Sequence, residues 1–155
     1  TLFRSMSNPL KATKFGLPFR HVPTYLAGYY KYKAGDQFTE GGKPVNGKRD
    51  ICDIYAIMYE TSESVPTLDG TNAFTSPNLI STARINNAKE TNEWTYFKLP
   101  FTTLPGKFID KEKLMDGKYN IAIVFTSSLE GDHFNGAIGS TLLIDEAELI
   151  YHSED

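Results

Sequence analysis

The apolar residues of this chain recur with a period of two. In the segment WTYFKLPF, Phe97, Leu99 and Phe101 share one parity, while Trp94, Tyr96 and Lys98 share the other. In YNIAIVFTS, Tyr119, Ile121, Ile123 and Phe125 fall on a single face. That spacing lines one side of a strand, whereas a helix needs apolar residues at i, i+3 and i+4. No segment carries a convincing helical stripe; one helical turn over Asp110–Met115 is the most the pattern allows. Strands without intervening helices imply an antiparallel sandwich or barrel.

Four further segments complete the set. Tyr25 to Lys33 (YLAGYYKYK) and Leu79 to Ile85 read as strands. Ile51 to Glu60 (ICDIYAIMYE) is nearly continuous in apolar residues, as in a central strand covered on both faces. Thr141 to Tyr151 changes phase at Asp145-Glu146. Leu142 and Ile144 lie on one parity and Ala147, Leu149 and Tyr151 on the other, so a β-bulge is predicted there. Residues 1–24 read as irregular, broken by Pro9, Gly16, Pro18 and Pro23. Gly35 to Lys48 reads as a long hairpin loop. The core is predicted to contain Phe97, Leu99, Phe101, Ile121, Ile123 and Phe125.

At 155 residues the chain is one domain, large enough to bury a core without staples. Its 16 basic and 19 acidic residues give a net charge of −3, which argues against a nucleic-acid backbone as partner. No apolar run approaches the roughly 20 residues of a membrane-spanning helix. A single cysteine, Cys52, excludes a disulfide framework within the chain and reads as a buried, inert thiol. The chain opens on Thr1 rather than Met, which suggests a mature product or a fragment.

Catalytic and metal motifs fail on context. Gly42 to Lys48 has the G-x4-G-K spacing of a phosphate loop, but Arg49 follows where Ser or Thr is needed, and no helix opens there. His21, His133 and His152 have no i, i+4 partner. Glycoside hydrolysis needs two carboxylates across a cleft; Asp53, Glu60, Asp132, Asp145 and Glu146 are candidates, and spacing along the chain does not select a pair. Asp145, at the phase change, is either solvent-exposed, or an acceptor for backbone N–H groups, or part of a structural calcium site. No other cofactor is implied.

Aromatic residues make up 13% of the chain, and some fall outside the core pattern. Tyr30 and Tyr32 are neighbours on a strand whose Lys31 and Lys33 point elsewhere. Trp94 and Tyr96 share the face opposite Phe97. Flat rings stack on the C–H faces of sugars, and a tyrosine hydroxyl suits a polar rim. The competing reading is that these rings pack beneath loops or a second sheet. Asp132, His133 and Asn135 lie in a loop with Gly131, Gly136 and Gly139, whose glycines could adopt φ > 0 and approach a ligand.

The order of several motifs carries a resemblance. Asn8-Pro9, Phe15-Gly16 and Pro18-Phe19 precede Gly28-Tyr29-Tyr30-Lys31-Tyr32-Lys33; Asp53-Ile54-Tyr55-Ala56, Glu93-Trp94-Thr95 and Pro100-Phe101 follow. Ser127-Ser128, Gly131-Asp132 and Gly139-Ser140-Thr141-Leu142 then lead to Asp145. The chain resembles the putative carbohydrate metabolism domain of Bacteroidetes cell-envelope proteins over nearly its whole length. The resemblance implies a jelly-roll β-sandwich similar to carbohydrate-binding modules of galactose-binding type, on an exported protein, often a lipoprotein. It also implies strands upstream of Thr1, whose place another segment or chain could take.

The expectation is therefore an all-β domain on the outer surface of a bacterial cell that binds polysaccharide without catalysis. Tyr30, Tyr32, Trp94 and Tyr96 would stack on sugar, and Asp132, His133 and Asn135 would hydrogen-bond to it. A glycoside hydrolase using two of the carboxylates, and a structural interaction domain, are the alternatives.

Overall fold

A computed structural model describes residues 14–15, 17–69 and 73–151. The readings of residues 1–13, including Asn8 and Pro9, and of Gly16 and His152 lie outside the described residues. Among the described residues the fold is about 50% strand and 6% helix, as the period-two pattern requires. Its strands are β1 (Lys14–Phe15), β2 (Leu17–Pro18), β3 (Pro23–Lys33), β4 (Phe38–Glu40), β5 (Lys43–Pro44), β6 (Asp53–Glu60), β7 (Leu68–Asp69), β8 (Leu79–Arg84), β9 (Thr91–Pro100), β10 (Thr102–Thr103), β11 (Tyr119–Thr126), β12 (Gly136–Ala137) and β13 (Thr141–Tyr151). A single helical turn, α1 (Lys111–Met115), starts where Asp110 caps the Lys113 N–H with its side chain at 3.0 Å.

Two antiparallel sheets make the sandwich. One has the order β10-β8-β6-β11-β2 and the other β13-β3-β9. Leu26, Tyr30 and Tyr32 of β3, Ile54 and Ala56 of β6, and Phe97 and Leu99 of β9 pack together between them. The outer face of the larger sheet is also covered. Leu68 and Ala73 lie against Tyr55, Ile57 and Tyr59, which explains why β6 reads as an unbroken apolar run. Within the long loop, Gly41 and Gly42 both take positive φ and close a two-residue hairpin between β4 and β5, the geometry glycine pairs favour.

The predicted bulge is present. The register of β13 against β3 shifts between Asp145 and Glu148, and Glu146 adopts φ 50°. Asp145 accepts a hydrogen bond from the Glu146 N–H at 2.9 Å, so its carboxylate is exposed and also caps the bulge. Cys52 is buried as expected, and burial pushes its thiol up to about 11.

Part of the predicted core is not core. Phe97, Leu99 and Ile121 are buried and Phe101 half-buried, but Ile123 and Phe125 are 41% and 38% exposed. The alternation of β11 is right; its neighbourhood is what differs. β2 pairs only with Asn120 and Ile121, so beyond them β11 is a sheet edge among the described residues. β13 is likewise the edge of the smaller sheet.

Candidate binding surface

The free face of the smaller sheet is built on β3 by odd-numbered residues, with Ala27 buried among them. Leu26, Gly28, Tyr30, Tyr32 and Ala34 face the core, while Tyr25, Tyr29, Lys31 and Lys33 face outward. Register places Tyr29 opposite Tyr96 and Ala27 opposite Lys98. The Tyr29 and Tyr96 rings lie 5.2 Å apart at 53°. Lys31 Nζ sits 4.7 Å above the Trp94 ring, and Lys98 Nζ 4.3 Å above that of Tyr25. Trp94 and Tyr96 remain 45% and 52% exposed, which large aromatics on a sheet rarely are without a partner.

This overturns half of the expected platform. Tyr30 and Tyr32 are 5% and 2% exposed and cannot present a ring to a ligand. Tyr32 donates its hydroxyl to the Ser127 carbonyl at 2.7 Å, and burial pushes its phenol up to about 12. Tyr30 accepts from the Lys89 N–H at 3.3 Å. The residues that take their place, Tyr29 and Tyr25, are one position earlier in phase. The lysines carried the signal: Lys31 and Lys33 need solvent, so tyrosines of their parity face outward.

Asp132 and His133 lie on an exposed 3-10 turn, Gly131–His133, with His133 Nε2 3.9 Å from Asp132 Oδ1. Phe134 ends the turn in the left-handed region at φ 61°. Asn135 accepts from the Gly41 N–H at 3.2 Å and so ties this loop to the β4–β5 hairpin. Of the three glycines expected at φ > 0, Gly139 has it (φ 89°); Gly131 and Gly136 do not. Gly136 serves another contact, since a Cβ there would lie 2.8 Å from Ser128 Oγ. An open pocket of about 210 Å³ between Thr39, Ser128, Phe134 and Ile138 is below the size of an ordinary ligand cleft, and no carboxylate lines it.

The loop is held by a residue the sequence did not single out. Asp50, 5% exposed, accepts through Oδ2 from Ser128 Oγ at 2.5 Å, Ser140 Oγ at 2.6 Å and the Ala137 N–H at 3.0 Å. Its Oδ1 accepts from the Ile51 N–H at 3.0 Å. The three Oδ2 partners lie 78 to 90 residues away, beyond the reach of any local pattern.

The hydrolase candidates are differently occupied. Asp53 is buried and receives Arg84 at 2.7 and 3.2 Å. Glu60 pairs with Lys113 at 2.8 Å. Asp145 and Glu146 form the bulge on β13, in the other sheet. Among the described residues, no three His, Cys, Asp or Glu side chains converge to hold a metal ion.

A sandwich with one outer face covered by Leu68 and Ala73 and the other presenting exposed rings defines an all-β sandwich domain with an exposed aromatic face. The chain belongs to the putative carbohydrate metabolism domain family, whose model matches residues 2–150. It is similar to the crystal structure of a putative glycoside hydrolase from Bacteroides thetaiotaomicron VPI-5482, with 89% identity and a TM-score of 0.95 over 96% of this chain. It is also similar to a putative glycoside hydrolase from Bacteroides vulgatus ATCC 8482, with 48% identity and a TM-score of 0.88 over 94% of this chain. The chain spans 44% and 58% of the length of these two relatives. None of the curated proteins matches it.

Proposed function

We propose that this domain binds a glycan on the outward face of β3 and β9 and performs no chemistry itself, with Tyr29, Trp94 and Tyr96 as the stacking residues. The observation that carries this reading is the exposure of Trp94 and Tyr96 beside Tyr29 on a sheet face that nothing described covers. Membership in a carbohydrate-related family supports a sugar as the ligand. Asp132 and His133 lie on the loop that enters β13 opposite Lys33, at the end of the sandwich where β9 begins; they are candidates for the rim of a longer ligand. The expected setting is the outer surface of a bacterial cell, within a longer exported protein. A further stretch of polypeptide along the edges of β11 and β13, where Ile123 and Phe125 are exposed, is consistent with that setting.

The names of the two solved relatives favour a second reading, glycoside hydrolysis. Binding without catalysis is preferred because Asp53 and Glu60 are held in ion pairs. A glycan array followed by titration decides between them. Each ring contributes about 1 kcal/mol, and with the polar contacts added the dissociation constant should fall at about 10 μM to 1 mM. Trp94→Ala and Tyr96→Ala should each weaken binding about 5-fold, the equivalent of about 1 kcal/mol, with an unchanged circular dichroism spectrum. Release of reducing ends, lost when one carboxylate becomes its amide, would establish the hydrolase instead.

A further inference from the structure

The surface of β3 and β9 is not electrically neutral. Its outward positions carry Lys31, Lys33 and Lys98 among the rings, and no outward carboxylate on these two strands is paired with them. Elsewhere, Lys48, Arg49, Arg84 and Lys113 each meet a carboxylate within 3.0 Å. Lys31 and Lys98 have no carboxylate partner among the described residues; their ammonium groups rest on Trp94 and Tyr25 instead. The two lysines also bracket the ring pair. Lys31 lies two residues beyond Tyr29 on β3, and Lys98 lies opposite Ala27, two residues before it. At about 3.4 Å of rise per residue, they stand about 14 Å apart along the strand with Tyr29 and Tyr96 between.

Glu93 apart, exposed next to Trp94 at the start of β9, the acids near this face lie along β13. Asp145 and Glu148 are opposite Tyr29 and Ala27 on the far side of β3, along β13. An anionic group therefore meets attraction over β3–β9 and repulsion over β13. The chain as a whole carries −3, so nothing in its net charge would draw an anionic polymer to it. Any such preference has to come from the local arrangement.

We propose that the glycan taken by this platform is anionic, bearing carboxylate or sulfate groups that pair with Lys31 and Lys98 while its sugar rings stack on Trp94, Tyr96 and Tyr29. This rests on the glycan-binding reading and specifies its ligand class. The ammonium groups need not leave their rings. A cation over an aromatic face keeps its outer hydrogens free for an anion, and the ring beneath fixes its position.

Matched polymers test this. Polygalacturonate is titrated against its fully methyl-esterified form, and a sulfated galactan against the same galactan desulfated, each at about 20 mM and 500 mM salt. In at least one pair the anionic member should bind about 5-fold tighter at low salt, as expected for two solvent-exposed charge contacts. The preference should vanish at high salt, where exposed charges are screened over about 5 Å or less. It should also vanish in Lys31→Met/Lys98→Met, which keeps the apolar stems. Which pair discriminates identifies carboxylate or sulfate as the recognised group. Equal binding of both members in each pair would overturn the charge assignment and leave glycan binding standing. A preference that persists in the double variant would also overturn it. Absence of binding to every polymer and to the array would overturn both.

Discussion

Phe97 packs onto the bare backbone of Gly28. The two are register partners on β9 and β3, and a Cβ at Gly28 would stand 2.8 Å from Phe97 Cζ and 3.2 Å from the Ala147 backbone. The ring thus fills the space that a side chain on β3 would take. Gly28→Ala should destabilise the fold by about 1–3 kcal/mol despite alanine's easier backbone, because the ring has to shift within a packed core. Phe97→Ala should cost about 3–5 kcal/mol. Urea titrations of both variants check this, and a neutral Gly28→Ala would show that the ring relaxes freely.

Asp50→Ala should remove the acceptor of two serine hydroxyls and two backbone N–H groups at a buried carboxylate. The loss should be about 3 kcal/mol, since each abandoned donor costs about 1–3 kcal/mol and part of the loop will rehydrate. Hydrogen exchange should accelerate first in residues 128–140, before the strands of the core.

Tyr32→Ala should destabilise the fold itself. The ring is 2% exposed and its hydroxyl donates to Ser127, so truncation should cost about 3–5 kcal/mol, while Tyr32→Phe should cost about 1 kcal/mol. Trp94→Ala, on the opposite face, should leave the melting temperature within about 2 °C of the parent. Differential scanning calorimetry of the three variants separates the two faces of the sheet.

Alkali should weaken the fold before acid chemistry has any bearing on these groups. Cys52 titrates at about 11 in the folded chain against an ordinary value of 9.0, and Tyr32 and Tyr55 at about 12 against 10.0. Their folded values are raised, so their stabilising contribution is complete below pH 9. It falls as pH climbs towards 11 and 12, where only the unfolded chain has already released the protons. Cys52→Ala should flatten the part of the decline between pH 9 and 11. The thiol should also resist Ellman's reagent at pH 8 until the chain is unfolded.

The sequence disclosed the strands well because their neighbours impose a period of two on every buried face. Even the bulge at Asp145-Glu146 was legible, as a change of parity within one segment. Two-residue strands such as β2 and β12 were not, since a distant partner creates them. The site was half legible. Phe97 and Leu99 fix the parity of β9 and expose Trp94 and Tyr96. On β3 tyrosines occupy both parities, and only the lysines distinguish solvent from core. Ile123 and Phe125 mark a different boundary. Alternation reports which side of a strand is apolar, and the covering of that side depends on neighbours the strand does not encode.

The division of β3 into two parities has a consequence for how such a domain diversifies. Even-numbered positions from Leu26 to Ala34 answer to the core, and odd-numbered positions from Tyr25 to Lys33, the buried Ala27 apart, answer to whatever lies on the surface. A substitution at Tyr29 or Lys31 changes what the sheet touches without disturbing Tyr30 or Leu26 beneath it. Ligand preference in descendants of this chain can therefore drift by single steps at alternate codons, with foldability conserved by the codons in between.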